Sequence, residues 1–218
     1  MSITVTHPKD SPITTQIILR TQHTAYALGI LYGKFPVHLY YGKKSRKMDL
    51  SYHSKVYSFS PFYPEHGLRY LPDVALSEFP SFGYGDFRAA AIRVRDLSTG
   101  SDATEFLYKA CKKHKGRLPL PAPIFGNLPC AEATEDTETL ELILTDAVTQ
   151  CELHLYYTVF PAHDIIARHM TLINRGDSAV RLEKCMSLCL DIPRGDLELI
   201  YIPDSCESIG EGIIPRWT

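Results

Sequence analysis

A chain of 218 residues, 44 % hydrophobic and 22 % charged, has enough apolar content to bury a core, and it falls where an all-β sandwich forms one domain. The formal charge is −2, and the only basic clusters, residues 43–47 and 112–115, fall at expected turns between strands. A nucleic-acid partner is therefore disfavoured. The opening Met1-Ser2-Ile3-Thr4-Val5-Thr6-His7-Pro8-Lys9-Asp10 lacks a secretory pattern, and no apolar run approaches the ~20 residues needed to span a bilayer. The expectation is a cytoplasmic protein with no membrane partner, its six cysteines all reduced.

The elements read as a procession of strands. Two alternating apolar runs, 17–31 and 37–41, flank a hairpin connection at Tyr32-Gly33-Lys34-Phe35-Pro36. Between residues 59 and 82, Pro61, Pro64, Pro72, Pro80 and Gly67 forbid regular structure, while Phe59, Phe62, Tyr63 and Tyr70 argue against disorder. Residues 92–95 and 105–108 read as strands about a turn at Thr99-Gly100-Ser101-Asp102. Only 102–113 offers a helical alternative, and Thr104, Phe106 and Tyr108 favour a strand there.

From residue 138 the alternation is cleaner. Leu140, Leu142 and Leu144 form one face, and Leu153, Leu155, Tyr157 and Val159 the next after a turn near Asp146. Ile166, Arg168, Met170 and Leu172 lead into a turn at 174–177, and Leu182, Cys185, Leu188 and Leu190 return. Strands every ten or so residues without helices predict a two-sheet antiparallel sandwich.

The most informative stretch runs from Glu78 to Arg88: Glu-Phe-Pro-Ser-Phe-Gly-Tyr-Gly-Asp-Phe-Arg. Four rings in a turn are costly to leave in water. If Phe87 opens a strand into Ile92, then Asp86 and Arg88 project to one face. They either pair, pinning the loop, or bind a hydroxyl-rich ligand on which Phe82 or Tyr84 stacks.

This stretch resembles the Glu-Tyr-Pro-x-x-Gly-x-x-Asp-Phe-Arg segment in the N-terminal domain of glycoside hydrolase family 36, the bacterial and fungal α-galactosidases. Further segments follow in that family's order: Thr24-Ala25-Tyr26-Ala27-Leu28, His38-Leu39-Tyr40-Tyr41-Gly42-Lys43-Lys44, Ser58-Phe59-Ser60-Pro61, Thr139-Leu140-Glu141-Leu142, Tyr156-Tyr157-Thr158-Val159, Asn174-Arg175-Gly176-Asp177 and Leu190-Asp191-Ile192-Pro193. The resemblance covers about residues 17–203 and departs from the family within 55–58. It implies an all-β, two-sheet antiparallel β-supersandwich of galactose mutarotase-like topology over residues 1–203, with 204–218 an atypical tail and the catalytic (β/α)₈ barrel absent.

The resemblance further implies a non-catalytic N-terminal part of an enzyme that hydrolyses terminal α-galactosides of the melibiose and raffinose type in carbohydrate catabolism. Such a part supports a barrel domain and assembly into a homo-oligomer. A retaining glycosidase needs two carboxylates about 5–5.5 Å apart. In this family both lie on the barrel, so no residue here is assigned a catalytic role, and the chain alone is expected to be inactive. No metal ligand set and no cofactor are expected. Asp86, Arg88, Phe82 and Tyr84 are the candidates for a substrate edge, bordering the active-site mouth together with residues 43–61.

Rival readings follow from the same residues. Asp86 with Asp73 or Glu78 would make a carboxylate pair of the chain's own. Glu183 or Glu198 facing His154 or His169 would make a mutarotase-like acid–base pair. A stand-alone carbohydrate-binding or structural β-sandwich module is the remaining alternative.

Overall fold

The computed structural model describes residues 2–53, 75–83, 85–86, 88–119 and 131–190, with the backbone alone of 199–200 and 216–217. Ten strands carry the fold: β1 Ile3–Thr6, β2 Ile13–Arg20, β3 Thr24–Leu31, β4 Phe35–Lys43, β5 Ile92–Asp96, β6 Leu107–Lys115, β7 Glu138–Thr145, β8 Cys151–Phe160, β9 Ile165–Asn174 and β10 Val180–Cys185. A short pair, β11 Leu199–Ile200 and β12 Arg216–Trp217, follows. Strands β1-β2-β3-β4 form one four-stranded sheet, β6-β7-β8-β9 another, and β10 pairs with β5. Every pairing between these strands is antiparallel.

Period-two alternation explains the layering. Leu140, Leu142 and Leu144 of β7 and Leu153, Leu155, Tyr157 and Val159 of β8 point inward with almost no exposure. They meet Ile17 and Leu19 of β2, Tyr26, Leu28 and Ile30 of β3, and Ile92 and Val94 of β5 in one continuous core. Behind the first sheet, Ile18, Ala25 and Ala27 are covered by Met48 and Leu50. The Gln16 amide fixes that cover, donating to the Met48 carbonyl at 2.9 Å and accepting from Leu50 N–H at 2.6 Å.

Several expectations change in detail. The apolar run 17–31 is two strands, broken at Thr21-Gln22-His23 without glycine or proline. Asp164, at positive φ beyond the Pro161–His163 turn, supplies the missing punctuation. Its carboxylate accepts from the Thr21 hydroxyl, from His23 N–H at 2.8 Å and from the His23 ring.

The basic cluster 112–115 lies within β6 and not at a turn. Lys113 bonds Glu138 at 2.8 Å, while His114, on the opposite face, bonds Glu141 at 2.8 Å. Residues 102–106 are irregular, and the strand β6 then takes the chain through to 115, with no helix. Cys185 ends β10. Cys111, Cys151, Cys185 and Cys189 are free thiols. Asp73, Asp191, Glu198 and the aromatics of residues 59–70 lie outside the described residues.

The N-terminal strand is tied to the second sheet through one carboxylate. Glu138 accepts from Ser2 N–H at 2.8 Å, Ile3 N–H at 2.8 Å and the Ser2 hydroxyl at 2.9 Å. Burial alone would raise its pKa, but Lys113 and these donors draw it down to about 2. A carboxyl with a depressed folded-state pKa stabilises the fold above its unfolded value near 4.5 and loses that contribution as pH falls toward about 2. Glu138→Gln is therefore expected to destabilise the chain at pH 7 by about 1–3 kcal/mol in urea unfolding. It should also flatten the stability loss between pH 4.5 and 2. An unchanged acid limb in the variant would refute this role.

Candidate functional site

The segment 75–83 runs between β4 and β5. His38 N–H donates to the Leu76 carbonyl at 2.6 Å and Glu78 N–H to the Pro36 carbonyl at 3.0 Å, lacing the segment to β4. Ala91 N–H donates to the Pro80 carbonyl at 2.8 Å, Phe82 N–H to the Ile92 carbonyl at 3.2 Å, and Thr104 N–H to the Phe82 carbonyl at 3.1 Å. Gly83 is required where it stands. Its φ is +99°, and a Cβ there would lie 2.6 Å from Ala103 Cα.

Asp86 and Arg88 meet, but by a different local geometry from the strand expected at Phe87, since β5 begins only at Ile92. The Asp86 carboxylate accepts from Arg88 N–H at 3.0 Å, an Asx-type turn. It also takes the guanidinium in a fork, from Nε at 2.9 Å and Nη2 at 2.8 Å. Nη2 reaches on to the Ala75 carbonyl at 2.6 Å. Burial of Asp86 opposes ionisation, but the hydrogen bonds and charge of Arg88 hold its pKa below the ordinary value. The pair pins both ends of the segment.

Phe82 is 39 % exposed and lies under the Arg93 guanidinium, 4.3 Å from ring centroid to carbon. Tyr84 lies outside the described residues. Asp86 lines a cavity of about 50 Å³ with Phe35, Ser77, Phe79, Pro80 and Phe106. That is water-sized, well short of the ~300 Å³ at which small-molecule pockets begin.

Beneath the segment is a cluster that sequence reasoning missed. Glu78 is fully buried. It accepts from the Tyr26 hydroxyl at 2.7 and 2.6 Å on its two oxygens, and from the Tyr157 hydroxyl at 2.6 Å. Arg168 Nη2 lies 3.2 Å from Glu78 Oε1, its guanidinium 4.7 Å over the Tyr157 ring, and His38 Nδ1 stands 3.8 Å from Oε2. Burial first, and the Glu78 charge second, push both phenols well above their ordinary pKa. Burial would lower Arg168, but Tyr157 and Glu78 raise it. The signal was present: Tyr157 and Arg168 interrupt two otherwise aliphatic inward faces, and buried polar groups demand partners.

Of the rival carboxylate pairs, Asp86 with Asp73 lies outside the described residues, and in Asp86 with Glu78 each member has a partner of its own. Glu78 is occupied by the tyrosines and Arg168, and Asp86 by Arg88. Glu183 bonds Arg93 at 3.0 Å and Arg95 at 2.6 Å. His154 bonds Glu141 at 2.8 Å, and His169 stacks on Tyr156 with centroids 4.5 Å apart. Among the described residues no group of three or more His, Cys, Asp or Glu side chains is placed to hold a metal ion.

The model of the glycosyl hydrolase family 36 N-terminal domain aligns with residues 34–203. The chain belongs to that family. It is 31 % identical over 186 residues to the bifunctional α-galactosidase/sucrose kinase AgaSK of Mediterraneibacter gnavus, covering 84 % of this chain and 19 % of that protein. It is 30 % identical over 197 residues to the α-galactosidase AgaA of Geobacillus stearothermophilus, covering 88 % and 26 %.

Solved family 36 structures superpose closely. The α-galactosidase AgaB of Geobacillus stearothermophilus matches with a TM-score of 0.75 at 29 % identity, over 92 % of this chain and 26 % of that one. AgaA in complex with raffinose matches with a TM-score of 0.74 at 30 % identity, over 86 % and 26 %. The chain thus spans about a fifth to a quarter of these family 36 proteins.

Two outcomes test the family 36 segment. Glu78→Ala should cost about 3–5 kcal/mol in urea unfolding, because it strands a buried guanidinium and two phenols. A loss below about 1 kcal/mol would show that water can take the carboxylate's place. Arg88→Lys keeps the charge but loses the fork, and should cost about 1–2 kcal/mol with faster proteolytic cleavage within 75–88. Unaltered cleavage there would refute the pinning role.

Proposed function

We propose that this chain is the N-terminal, non-catalytic part of an α-galactosidase that removes terminal galactose from raffinose- or melibiose-type saccharides in carbohydrate catabolism. The observation that carries the reading is the family match over residues 34–203, joined to relatives about three to four and a half times as long that are named α-galactosidases. The AgaA complexes with raffinose and stachyose supply the substrate class.

On this reading residues 1–203 are one sandwich unit. The unit steadies a catalytic barrel and contributes to a homo-oligomer in the cytoplasm. The 75–88 segment borders the active-site mouth, with Phe82 and Tyr84 offering rings and the Asp86–Arg88 fork setting the segment's shape. The small cavity beside Asp86 favours an edge role over a site that encloses a sugar.

The purified chain should release no nitrophenol from nitrophenyl α-galactoside above buffer background. Steady turnover that persists through further purification would overturn the assignment of chemistry to a separate part of the enzyme.

A further inference from the structure

The outward face of the β5–β10 ribbon runs against the rule that opposed strands avoid like charges. Ile92 and Val94 of β5 enter the core, so Arg93 and Arg95, alternating with them, point outward. The register sets Lys184 of β10 directly opposite Arg93, and Arg181 directly opposite Arg95. Four cations thus share one small face, which lowers the stability of the ribbon. Ion pairs as exposed as those on this face offset little of that loss. A local rule broken without a stabilising gain marks a surface shaped by something other than folding.

Two carboxylates hold Arg93 and Arg95 in fixed planes. Asp102 Oδ2 accepts from Arg93 Nε at 2.9 Å, from Arg93 Nη2, and from Arg95 Nη2 at 3.2 Å. Glu183 lies 3.0 Å from Arg93 Nε and 2.6 Å from Arg95 Nε. Between 22 % and 36 % of each of these four side chains stays exposed, so a ligand can reach all of them. Arg93 lies over the Phe82 ring, which is itself still partly open to solvent. Ring and carboxylate keep their spacing because their backbones are laced. Thr104 N–H donates to the Phe82 carbonyl at 3.1 Å, and the Ser81 hydroxyl donates to the Thr104 carbonyl at 2.6 Å.

Neutral saccharides are recognised by this combination: an apolar ring surface for their C–H face, beside planar donors and acceptors for neighbouring hydroxyls. The charges of two guanidiniums and two carboxylates cancel, so an anion would first have to displace Asp102 or Glu183, whereas a sugar displaces only water. Asp102 Oδ1 takes none of the guanidinium contacts and can accept from a hydroxyl. We propose that Phe82, Arg93, Arg95, Asp102 and Glu183 form a binding site for the sugar residues of a raffinose-type substrate that lie beyond its terminal galactose. The inference rests on the reading above, in which the segment carrying Phe82 borders the active-site mouth. The terminal galactose enters the catalytic centre, so an edge outside that centre meets what trails behind it.

The test titrates saccharides into the purified 218-residue chain and follows its amide and arginine Nε–H signals by NMR. Raffinose should shift the Arg93 and Arg95 signals and saturate in the low millimolar range. Sucrose, which is raffinose without its galactose, should shift the same signals, and galactose should leave them in place. Phe82→Ala and Asp102→Asn should each weaken raffinose binding roughly tenfold. Lys109→Gln alters another exposed ion-pair set, Lys109–Glu152–Arg175, and should leave the binding unchanged. All three are surface changes, and unshifted core amide signals report that each variant is folded.

No saturable shift with raffinose, or shifts confined to another face, overturns the site and leaves the enzyme-part reading standing on its family match. Shifts with galactose and none with sucrose overturn the assignment to the trailing residues. If inorganic phosphate shifts the Arg93 and Arg95 signals while raffinose does not, the face is an anion site and the inference fails. Raffinose bound here by a chain that also hydrolyses nitrophenyl α-galactoside sustains the site and counts against the enzyme-part reading.

Discussion

A carboxylate withdrawn from water costs several kcal/mol unless charge and hydrogen bonds replace its hydration. In this chain Glu78 is withdrawn completely, and the replacements come from both sheets: Tyr26 from β3, Tyr157 from β8 and Arg168 from β9. None of these partners can shift without stranding the others, so the network fixes how the layers lie across one another. The aliphatic core alone tolerates sliding, because leucine against leucine has no preferred register. Glu78 also anchors the segment that runs on to Phe82, Asp86 and Arg88.

The electrostatics are layered by depth. At the surface, Arg93 and Arg95 share Asp102 and Glu183 in a solvent-exposed lattice, where each pair contributes little. Halfway down, the Asp86–Arg88 fork and the Glu138 cluster join segments distant in sequence or space. At the centre Glu78 meets one guanidinium and two phenols. The cost of losing a member rises in the same order, since water can replace a surface partner and cannot replace a central one.

Strands with one sealed face were legible from alternation: β7 and β8 read cleanly because leucines recur at every second position up to the Asp146 turn, whose carboxylate caps Thr149. The break between β2 and β3 was not legible, because its punctuation is Asp164, brought back from the other sheet. The Asp86–Arg88 pair could be read, being two residues apart. The Glu78 network could not be assembled, as its members are spread from residue 26 to 168 and only the fold joins them. What the sequence did offer was the anomaly of Tyr157 and Arg168 on aliphatic faces.

The separation of these partners along the chain bears on how the protein comes into being. Tyr157 lies 79 positions beyond Glu78, which at a ribosomal pace of about 5–20 residues per second is a delay of roughly 4–16 s. Throughout that interval the first sheet and Glu78 have emerged without Tyr157 or Arg168, two of the partners the carboxylate has in the folded chain. The Glu78 network therefore cannot be complete until β9 has been synthesised, since Arg168 lies on that strand.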